Sequence, residues 1–237
     1  KDTENKIKNH DLTIKAIDGT IFIVPDKHAY WIDSSTLPNQ EEFYETRPQG
    51  STSAENILEC FLIVELLKKM AQEYREKGYN KNNQKTVGVI SFYQLQVNRL
   101  RKMIKKEKKE FDFSSLNIDI NTVDRFQGKE KQIIITSLVR NLKTTRRSEG
   151  SHIAAFERIN VAFSRAQEML VIVGARNMYA GQPVKLPNMD SDGEKTVYVY
   201  RNIIEELNRN ACYFGSGKLL NEGHIEQIKD IIKKEYN

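Results

Sequence analysis

The residues best suited to chemistry lie in the stretch Ile120–Gly174, which contains two patterned segments. In the first segment, a polar turn at 124–130 separates two short apolar runs, 118–123 and 133–139. Both runs are rich in β-branched residues and short enough to be β-strands. We therefore expect the chemistry of this segment to lie in the turn, which contains Gly128.

The second segment, 157–174, has the pattern of a helix that runs directly into a strand. The apolar residues that would face the sheet recur at helical spacing: Ile159, Phe163, Ala166 and Leu170. Arg158 and Arg165 would lie within roughly 20° of each other around the helix axis. Two guanidinium groups on one edge of a rigid helix would suit a polyphosphate, because the planar arginine fork matches phosphate oxygens. Surface salt bridges are the alternative for both side chains.

Three segments resemble, in order and spacing, motifs IV, V and VI of superfamily 1 helicases. They are Val87–Gln96 (VGVISFYQLQ), Thr122–Glu130 (TVDRFQGKE) and Arg158–Ala166 (RINVAFSRA). The similar branch is that of the nonsense-mediated-decay RNA helicase and related DNA helicases. Upstream, Gly50–Asn56 followed by Glu59 is similar to the segment that precedes motif IV in that branch.

The resemblance implies the second, C-terminal RecA-like domain of such a helicase. This is an α/β fold of the P-loop NTPase type, with a mainly parallel sheet and helices on both faces. In the family, the P-loop and the Mg²⁺-binding carboxylates lie in the first RecA-like domain. This sequence has no G-x-x-x-x-G-K-[ST] motif and no Asp-Glu pair, and we expect its nearest approach, Gly215–Lys218, to be a loop. Because the chain starts at Lys1 instead of methionine, we expect it to be part of a longer protein. We expect a hairpin or extension at 1–28 and the RecA-like domain at 29–237.

The resemblance also implies roles for single residues. Arg165 is expected to be the catalytic arginine finger, which stabilises charge on the transferring phosphoryl group. Asp124 is expected to orient the turn of motif V by hydrogen bonding. The residues expected to bind ATP are Gln127, Gly128, Glu130 and Arg158. The residues expected to contact single-stranded nucleic acid are Ser91, Tyr93 and Thr122. The Mg²⁺ that accompanies ATP is expected to be held by the first domain.

Together these implications make the chain the C-terminal motor domain of an ATP-dependent helicase that moves along single-stranded DNA or RNA. Its expected partners are the nucleic acid and the first RecA-like domain of the same parent chain, and the fragment alone is expected to be inactive. A non-enzymatic nucleic-acid-binding or regulatory domain derived from a helicase is the alternative. A nuclease is less favoured, because the four histidines have no metal-ligand spacing: His10, His28, His152 and His224.

The composition sets wider limits. A net charge of +5 allows an acidic partner, although 32 acidic residues are interspersed with the 37 basic ones. A hydrophobic content of 39% is enough for the core of one domain. The two cysteines, Cys60 and Cys212, favour a reducing compartment, and no apolar run approaches membrane-spanning length. We therefore expect a cytoplasmic protein without a membrane partner.

The elements before the motifs are partly predictable. The dipeptide Asp18-Gly19 lies between alternating apolar residues and predicts a β-hairpin with a type I′ turn. The run Ala29–Asp33 predicts the first strand of the main sheet, and Trp31 within it is more typical of a core than of a base-stacking site.

A long amphipathic helix is predicted next. Thr52 and Glu55 have the spacing of a capping box at its start, and Gly78 is expected to end it. Its inward stripe comprises Ile57, Phe61, Val64, Leu67, Ala71 and Tyr74. The basic run Arg99–Lys109 could follow a phosphate backbone, but a solvated helix face is at least as good an interpretation.

The remaining chain contains two predicted loops and two predicted helices. The segment 141–155 is expected to be a mobile loop, and 175–194 is expected to be irregular because it contains prolines and glycines. Apolar stripes predict helices at 196–208 and 222–236. The last of them would pack on the sheet or on a neighbouring domain.

Overall fold

The computed structural model describes residues 9–143, 155–187 and 193–236. The strands are β1 (Ile14–Lys15), β2 (Ile21–Ile23), β3 (Ala29–Asp33), β4 (Lys85–Ser91), β5 (Leu116–Thr122), β6 (Lys131–Ser137), β7 (Ala166–Gly174), β8 (Val184–Pro187), β9 (Glu194–Val197) and β10 (Tyr213–Gly215). The helices are α1 (Ile57–Glu76), α2 (Gln94–Glu107), α3 (Phe156–Phe163), α4 (Arg176–Tyr179), α5 (Val199–Arg209) and α6 (Glu222–Tyr236). Short 3₁₀ turns follow β5 and β10, at Val123–Phe126 and Ser216–Lys218.

Six strands form one parallel sheet in the order β10-β3-β7-β6-β4-β5. Toward one edge of the sheet, Val89 of β4 pairs with Ile120 of β5 on one side and with Ile135 of β6 on the other. All three side chains are buried, as expected for a parallel sheet that is covered on both faces. The predicted α/β fold of RecA-like type is therefore confirmed.

Both faces of the sheet carry helices because parallel neighbours need crossover connections, which are almost always right-handed. The connections from β3 to β4 and from β4 to β5 run in one direction along the sheet and place α1 and α2 on the same face, where α1 contacts both α2 and α6. The later connections run in the opposite direction. They place the 3₁₀ turn Val123–Phe126, α3 and α5 on the other face, where the turn contacts α3.

The predicted interior of the domain is confirmed. Trp31 is fully buried in β3, and its indole N–H donates a hydrogen bond to the carbonyl of Gly174 at 2.9 Å. Gly78 follows the C-cap of α1 with a φ of 87°, which favours glycine. The predicted inward stripe of α1 is buried throughout: Ile57, Phe61, Val64, Leu67, Ala71 and Tyr74.

The predicted start of α1 is wrong. Its N-cap is Asn56, whose side chain accepts a hydrogen bond from the Glu59 N–H at 3.1 Å. The capping box predicted from Thr52 and Glu55 does not form. Glu55 pairs with Thr46 in an antiparallel bridge, which holds its backbone extended, so the helix cannot begin before this point.

The N-terminal hairpin is present, but its turn differs from the predicted type. β1 and β2 pair antiparallel, and the Gly19 N–H donates to the Ala16 carbonyl at 3.1 Å. Within this turn only Gly19 has a positive φ, of 81°, whereas a type I′ turn needs two such residues. The Asp18 side chain accepts hydrogen bonds from the Thr20 N–H and from Lys218 Nζ, both at 2.9 Å. It thereby links the turn to the segment that follows β10.

The C-terminal part is more regular than predicted. The segment 175–194 contains α4 and β8, and β8 pairs antiparallel with β9, so the expectation of irregular structure is wrong. The expected loop at Gly215–Lys218 is the end of β10 and a 3₁₀ turn. Helix α6 has the predicted bounds, α5 begins three residues later than predicted, and no described helix is long and apolar enough to cross a membrane. Most of the predicted loop at 141–155 lies outside the described residues.

Candidate functional site

The segment that resembles motif V crosses one face of the sheet. It leaves the carboxyl end of β5 as the 3₁₀ turn and reaches the amino end of β6 through residues 127–130. Gly88 of β4 makes this close crossing possible, because an added Cβ would lie 2.6 Å from Cζ of Phe126 and 2.7 Å from Cδ1 of Ile134. The Phe126 ring is fully buried. The strand of motif IV and the turn of motif V are therefore packed as one unit.

The crossing separates the predicted site residues into two groups. Ser91 pairs with Thr122 and with Ser137 at the carboxyl edge of the sheet. Lys131 pairs with Ala166 at the amino edge. A strand of seven residues spans roughly 20 Å, so the residues predicted to contact nucleic acid lie about that far from the start of β6. The structure thus brings each group together but holds the two groups apart.

The amino-edge group consists of exposed residues of the motif V turn. Gln127, Gly128 and Glu130 all lie at the surface. Gly128 has a φ of 77°, and no other atom lies within 4 Å of the position where a Cβ would be. Its backbone is therefore open to a ligand. The Glu130 carboxylate accepts a hydrogen bond from Gln167 Nε2 at 3.2 Å, which links the turn to β7.

Arg165 does not lie on a helix. Helix α3 ends at Phe163, and Arg165 lies in the turn before β7, so the expectation that two arginines share one helix edge is wrong. The helix ends here because β7 already pairs with β6, and the Lys131 N–H donates to the Arg165 carbonyl at 3.1 Å. Ala166 and Leu170, expected at helical spacing, are strand residues for the same reason.

The guanidinium of Arg165 differs from those of three other arginines in its hydrogen bonding. Its Nε atom is buried and has no hydrogen-bond partner among the described residues. By contrast, three other arginines each bind a carboxylate: Arg99 binds Glu55, Arg140 binds Glu45 and Arg158 binds Asp124. A buried N–H of a cationic group without a partner is costly, and an anion arriving from outside the chain would satisfy it. Arg165 Nε therefore makes no hydrogen bond within the described residues that an incoming anion would have to replace.

Arg158 pairs with an acidic residue. Its Nη2 donates to Oδ2 of Asp124 at 2.7 Å, and this contact joins the first turn of α3 to the 3₁₀ turn of motif V. Of the two roles considered for Arg158, pairing with an acid is present in the structure. The contact is also the kind of hydrogen bond expected of Asp124, and it holds the motif V turn against α3.

The carboxyl-edge group is mostly enclosed. Ser91 and Tyr93 are 1% and 6% exposed, whereas Thr122 is partly exposed. The Tyr93 hydroxyl accepts a hydrogen bond from Arg140 Nη1 at 3.3 Å, and burial raises the pKa of the phenol. Arg140 in turn binds Glu45 at 2.8 Å. Thr122 is thus the one of the three predicted contact residues whose side chain a strand could reach without rearrangement.

A buried carboxylate behind this edge was not predicted as a site residue. Glu59 of α1 is fully buried and accepts hydrogen bonds from Ser34 Oγ at 3.0 Å, from Ser137 Oγ at 2.6 Å and from the Val139 N–H at 2.9 Å. Burial raises its pKa to about 7. The sequence signal is an acidic residue within the apolar run of α1, which only a set of buried donors can satisfy.

Two amides extend this network to the segment that resembles motif IV. Gln96 donates to Ser137 Oγ at 2.8 Å and accepts from the Asn56 N–H at 2.9 Å. The Asn56 side chain donates to the carbonyl of Val139 at 3.1 Å. Val139 has a φ of 71°, which is strained for a β-branched residue. The network therefore holds the chain after β6 in a conformation that it would not adopt alone.

The histidines serve the fold within the described residues. Three of the four make hydrogen bonds there: His10 with the Lys27 carbonyl, His28 with the Glu168 carbonyl and His224 with Asn221. His152 lies outside the described residues. In the part of the chain that the structure describes, no group of three or more His, Cys, Asp or Glu residues is arranged to bind a metal ion.

Comparison with known proteins gives the same family as the motifs. The family model described as AAA domain matches residues 4–177, which is well over half of the chain. The helicase mov-10-B.2 of the zebrafish Danio rerio is 32% identical over 143 residues, covering 58% of this chain and 14% of its own. The helicase/nuclease dna2 of Schizosaccharomyces pombe, named for DNA replication and ATP dependence, is 34% identical over 161 residues, covering 64% of this chain and 10% of its own.

A third relative is the DNA polymerase alpha-associated DNA helicase A of Saccharomyces cerevisiae. It is 35% identical over 134 residues, covering 56% of this chain and 18% of its own. The chain thus spans between 10% and 18% of the length of these three relatives. The parallel sheet, the three motifs in order and the matched family model agree. The chain therefore belongs to the AAA domain family, as a RecA-like domain of the helicase type.

Proposed function

We propose that this chain is the C-terminal motor domain of an ATP-dependent helicase, in which Arg165 acts as the arginine finger. The observation that carries the proposal is the buried Nε of Arg165, which has no partner among the described residues. A positive group without a partner inside the chain can stabilise negative charge on a transferring phosphoryl group. Such a residue is typically worth about 10³ to 10⁵ in rate.

The amino edge would form this domain's wall of an ATP cleft. Gly128 leaves the backbone of the motif V turn open, and the Glu130 carboxylate can accept hydrogen bonds from hydroxyl groups. Gln127 lies beside them on the same exposed turn. Arg158 would act through Asp124, by fixing the turn. ATP with Mg²⁺ would supply the phosphoryl bond whose hydrolysis drives the motor, and the Mg²⁺ would be held by a first RecA-like domain of the parent protein.

The carboxyl edge would form part of the track for single-stranded DNA or RNA. Thr122 is partly exposed there, and a threonine hydroxyl can bind a phosphate without reading a base. Ser91 and Tyr93 are buried, so in this arrangement they would support the carboxyl edge without contacting the nucleic acid. The hydrogen bond from Arg140 to the Tyr93 hydroxyl would have to break before a nucleic-acid strand could contact Tyr93. Contacts to the backbone alone suit a motor that moves along any sequence.

The motif V crossing would couple the two edges. It starts at Thr122 on the track side, packs against Gly88 midway and ends beside Arg165 on the ATP side. The Arg158–Asp124 contact fastens the middle of this path to α3. A shift of the turn on ATP binding would therefore reach the track through a short, packed segment, as expected for domain closure that moves a strand.

The test is the steady-state ATPase activity of the full-length parent protein, with and without single-stranded DNA or RNA. We expect hydrolysis that the strand stimulates and that falls at least about a hundredfold in Arg165→Ala. The matched control is Arg209→Ala, because Arg209 is exposed on α5 and pairs only with Glu206 one turn away. Strand binding without hydrolysis, or hydrolysis indifferent to Arg165, would favour a nucleic-acid-binding or regulatory domain instead. The chain by itself is expected to be inactive.

A further inference from the structure

A row of basic side chains lies along the outer edge of the sheet. Arg101, Lys105 and Lys108 recur at helical spacing and are all exposed. With the strand β5, which ends the sheet, they line a groove of about 350 Å³. At a rise of about 1.5 Å per residue the row is roughly 10 Å long, so its three cations could neutralise phosphates along a short stretch of one nucleic-acid strand.

A second, larger hollow of about 640 Å³ lies beside the groove. Lys108 lines both, and the hollow adds Lys81, Lys109 and the partly buried ring of Phe111. Positively charged grooves that follow the backbone are a common feature of proteins that bind single-stranded nucleic acid without sequence preference. The Phe111 ring already packs against Arg75 and Phe113, so the cations carry the argument here.

The charges in this region leave the row mostly unneutralised. Asp119 lies in the groove but pairs with Lys129 at 3.9 Å, and Asp112 in the hollow pairs with Arg75 at 3.6 Å. Glu110 is the remaining acid of the lining. Among the described residues, five lining cations have no ion pair within 4 Å: Lys81, Arg101, Lys105, Lys108 and Lys109. An incoming polyanion would therefore replace water and small ions, and would not have to break salt bridges of the row.

The row begins next to the proposed track. Arg101 Nε donates to the carbonyl of Ile120 at 3.1 Å, and its Nη2 donates to Asn121 Oδ1 at 2.8 Å. Asn121 directly precedes Thr122. A strand held at Thr122 would thus meet Arg101 first and could continue along α2 toward Lys108.

The groove suits phosphates better than a peptide. A peptide that added to β5 as a further strand would need its free backbone groups, but side chains already occupy two of its carbonyls and one that lies just before it. Arg101 binds the Ile120 carbonyl, and Gln84 Nε2 binds the carbonyls of Ser114 and Leu116 at 3.0 and 3.2 Å. The apolar lining of the groove is limited to three isoleucines, two of which are buried: Ile104, Ile118 and Ile120.

We propose that this groove is a second contact surface for single-stranded nucleic acid, which extends the track over the edge of the sheet along α2. The inference rests on the proposed function for its choice of polyanion. It does not depend on ATP or on Arg165, so binding to the groove and the ATPase function can succeed or fail separately.

The experiment measures binding of the 237-residue chain to a labelled single-stranded oligonucleotide of about 16 nucleotides by fluorescence anisotropy, without nucleotide and over a series of salt concentrations. The slope of log affinity against log salt is negative, and each lost phosphate contact reduces its magnitude by about 0.7 for single strands. In the triple variant Arg101→Gln/Lys105→Gln/Lys108→Gln, the magnitude of this slope should therefore be smaller by about 2 than in the wild type.

The matched control removes the same charge elsewhere, with Lys15→Gln/Lys195→Gln/Lys233→Gln, all exposed and outside the groove. It should leave the slope nearly unchanged. Because Arg101 also supports the edge of β5, the double variant Lys105→Gln/Lys108→Gln is tested as well, with circular dichroism to verify folding, and the magnitude of its slope should be smaller by about 1.4.

Three outcomes would overturn the proposal. The first is an equal loss in the groove and control variants, which would indicate a response to net charge alone. The second is no loss in either groove variant. The third is a polyglutamate peptide of matched charge that competes as well as the unlabelled oligonucleotide, which would indicate a protein partner.

Discussion

The guanidinium of Arg158 donates a hydrogen bond to the carboxylate of Asp124 at 2.7 Å, and so ties α3 to the turn that crosses β4. Asp124 is 61% exposed at its side chain, and Arg158 is 28% exposed. Solvent and salt therefore screen the attraction, and its value lies in positioning more than in stability.

We accordingly expect a small coupling energy between these two residues. A double-mutant cycle of Arg158→Ala and Asp124→Ala, measured by urea unfolding, should give about 0.2 to 1 kcal/mol. In the parent protein, both single variants should lower ATPase activity by similar factors, and the double variant by little more than either. Additive losses in activity would indicate that Arg158 contacts nucleotide directly instead of acting through Asp124.

Arg165 should be dispensable for folding. Because its buried Nε has no partner within the described residues, Arg165→Met should leave the free energy of unfolding unchanged or raise it. Arg99→Met is the matched control, because Arg99 binds Glu55, which is 1% exposed. That variant should lose about 3 kcal/mol or more, since it leaves a buried carboxylate without its cation. Equal losses in the two variants would show that Arg165 has a counter-ion inside the chain.

Gly88→Ala should destabilise the domain, because the new methyl group would overlap the Phe126 ring and the Ile134 side chain. Overpacking of this kind costs about 1 to 3 kcal/mol in the free energy of unfolding. Gly215→Ala is the control, because its φ of −83° suits alanine and nothing lies within 4 Å of the added Cβ. If Gly88→Ala unfolds at the same urea concentration as Gly215→Ala, the crossing is looser than the structure indicates.

Glu59 should make stability depend on pH. Burial raises the pKa of its carboxyl from 4.5 to about 7, so between these pH values the folded chain keeps a proton that the unfolded chain has released. The contribution of Glu59 to the free energy of unfolding therefore falls as pH rises through this range, and it is constant above the range.

The measurement compares wild type and Glu59→Gln by urea unfolding at several pH values. The difference between the two proteins isolates the contribution of Glu59 from that of the other titrating groups. One of these groups is Glu45, whose charge also raises the pKa of Glu59. We expect the wild type to lose stability relative to the variant between about pH 4.5 and pH 7. Parallel profiles would contradict the prediction.

The sequence by itself determined the fold class and the order of the main elements. The strand Ala29–Asp33, the inward stripe of α1 and the helix Glu222–Tyr236 all follow from local periodicity. This periodicity depends only on the spacing of apolar and polar residues along the chain. The three helicase motifs were equally evident, because each is a contiguous run. Local patterns therefore identified what kind of domain this is.

Tertiary structure decided where the elements end and which site residues meet. Helix α3 stops at Phe163 because β7 pairs with β6, and α1 starts at Ile57 because Glu55 is bridged to Thr46. Both limits come from partners far away in the chain, which a periodic pattern cannot contain. The same holds for the site: a crossover of fewer than ten residues carries motif V from the carboxyl edge of the sheet to the amino edge, because Gly88 lets Phe126 pack against β4.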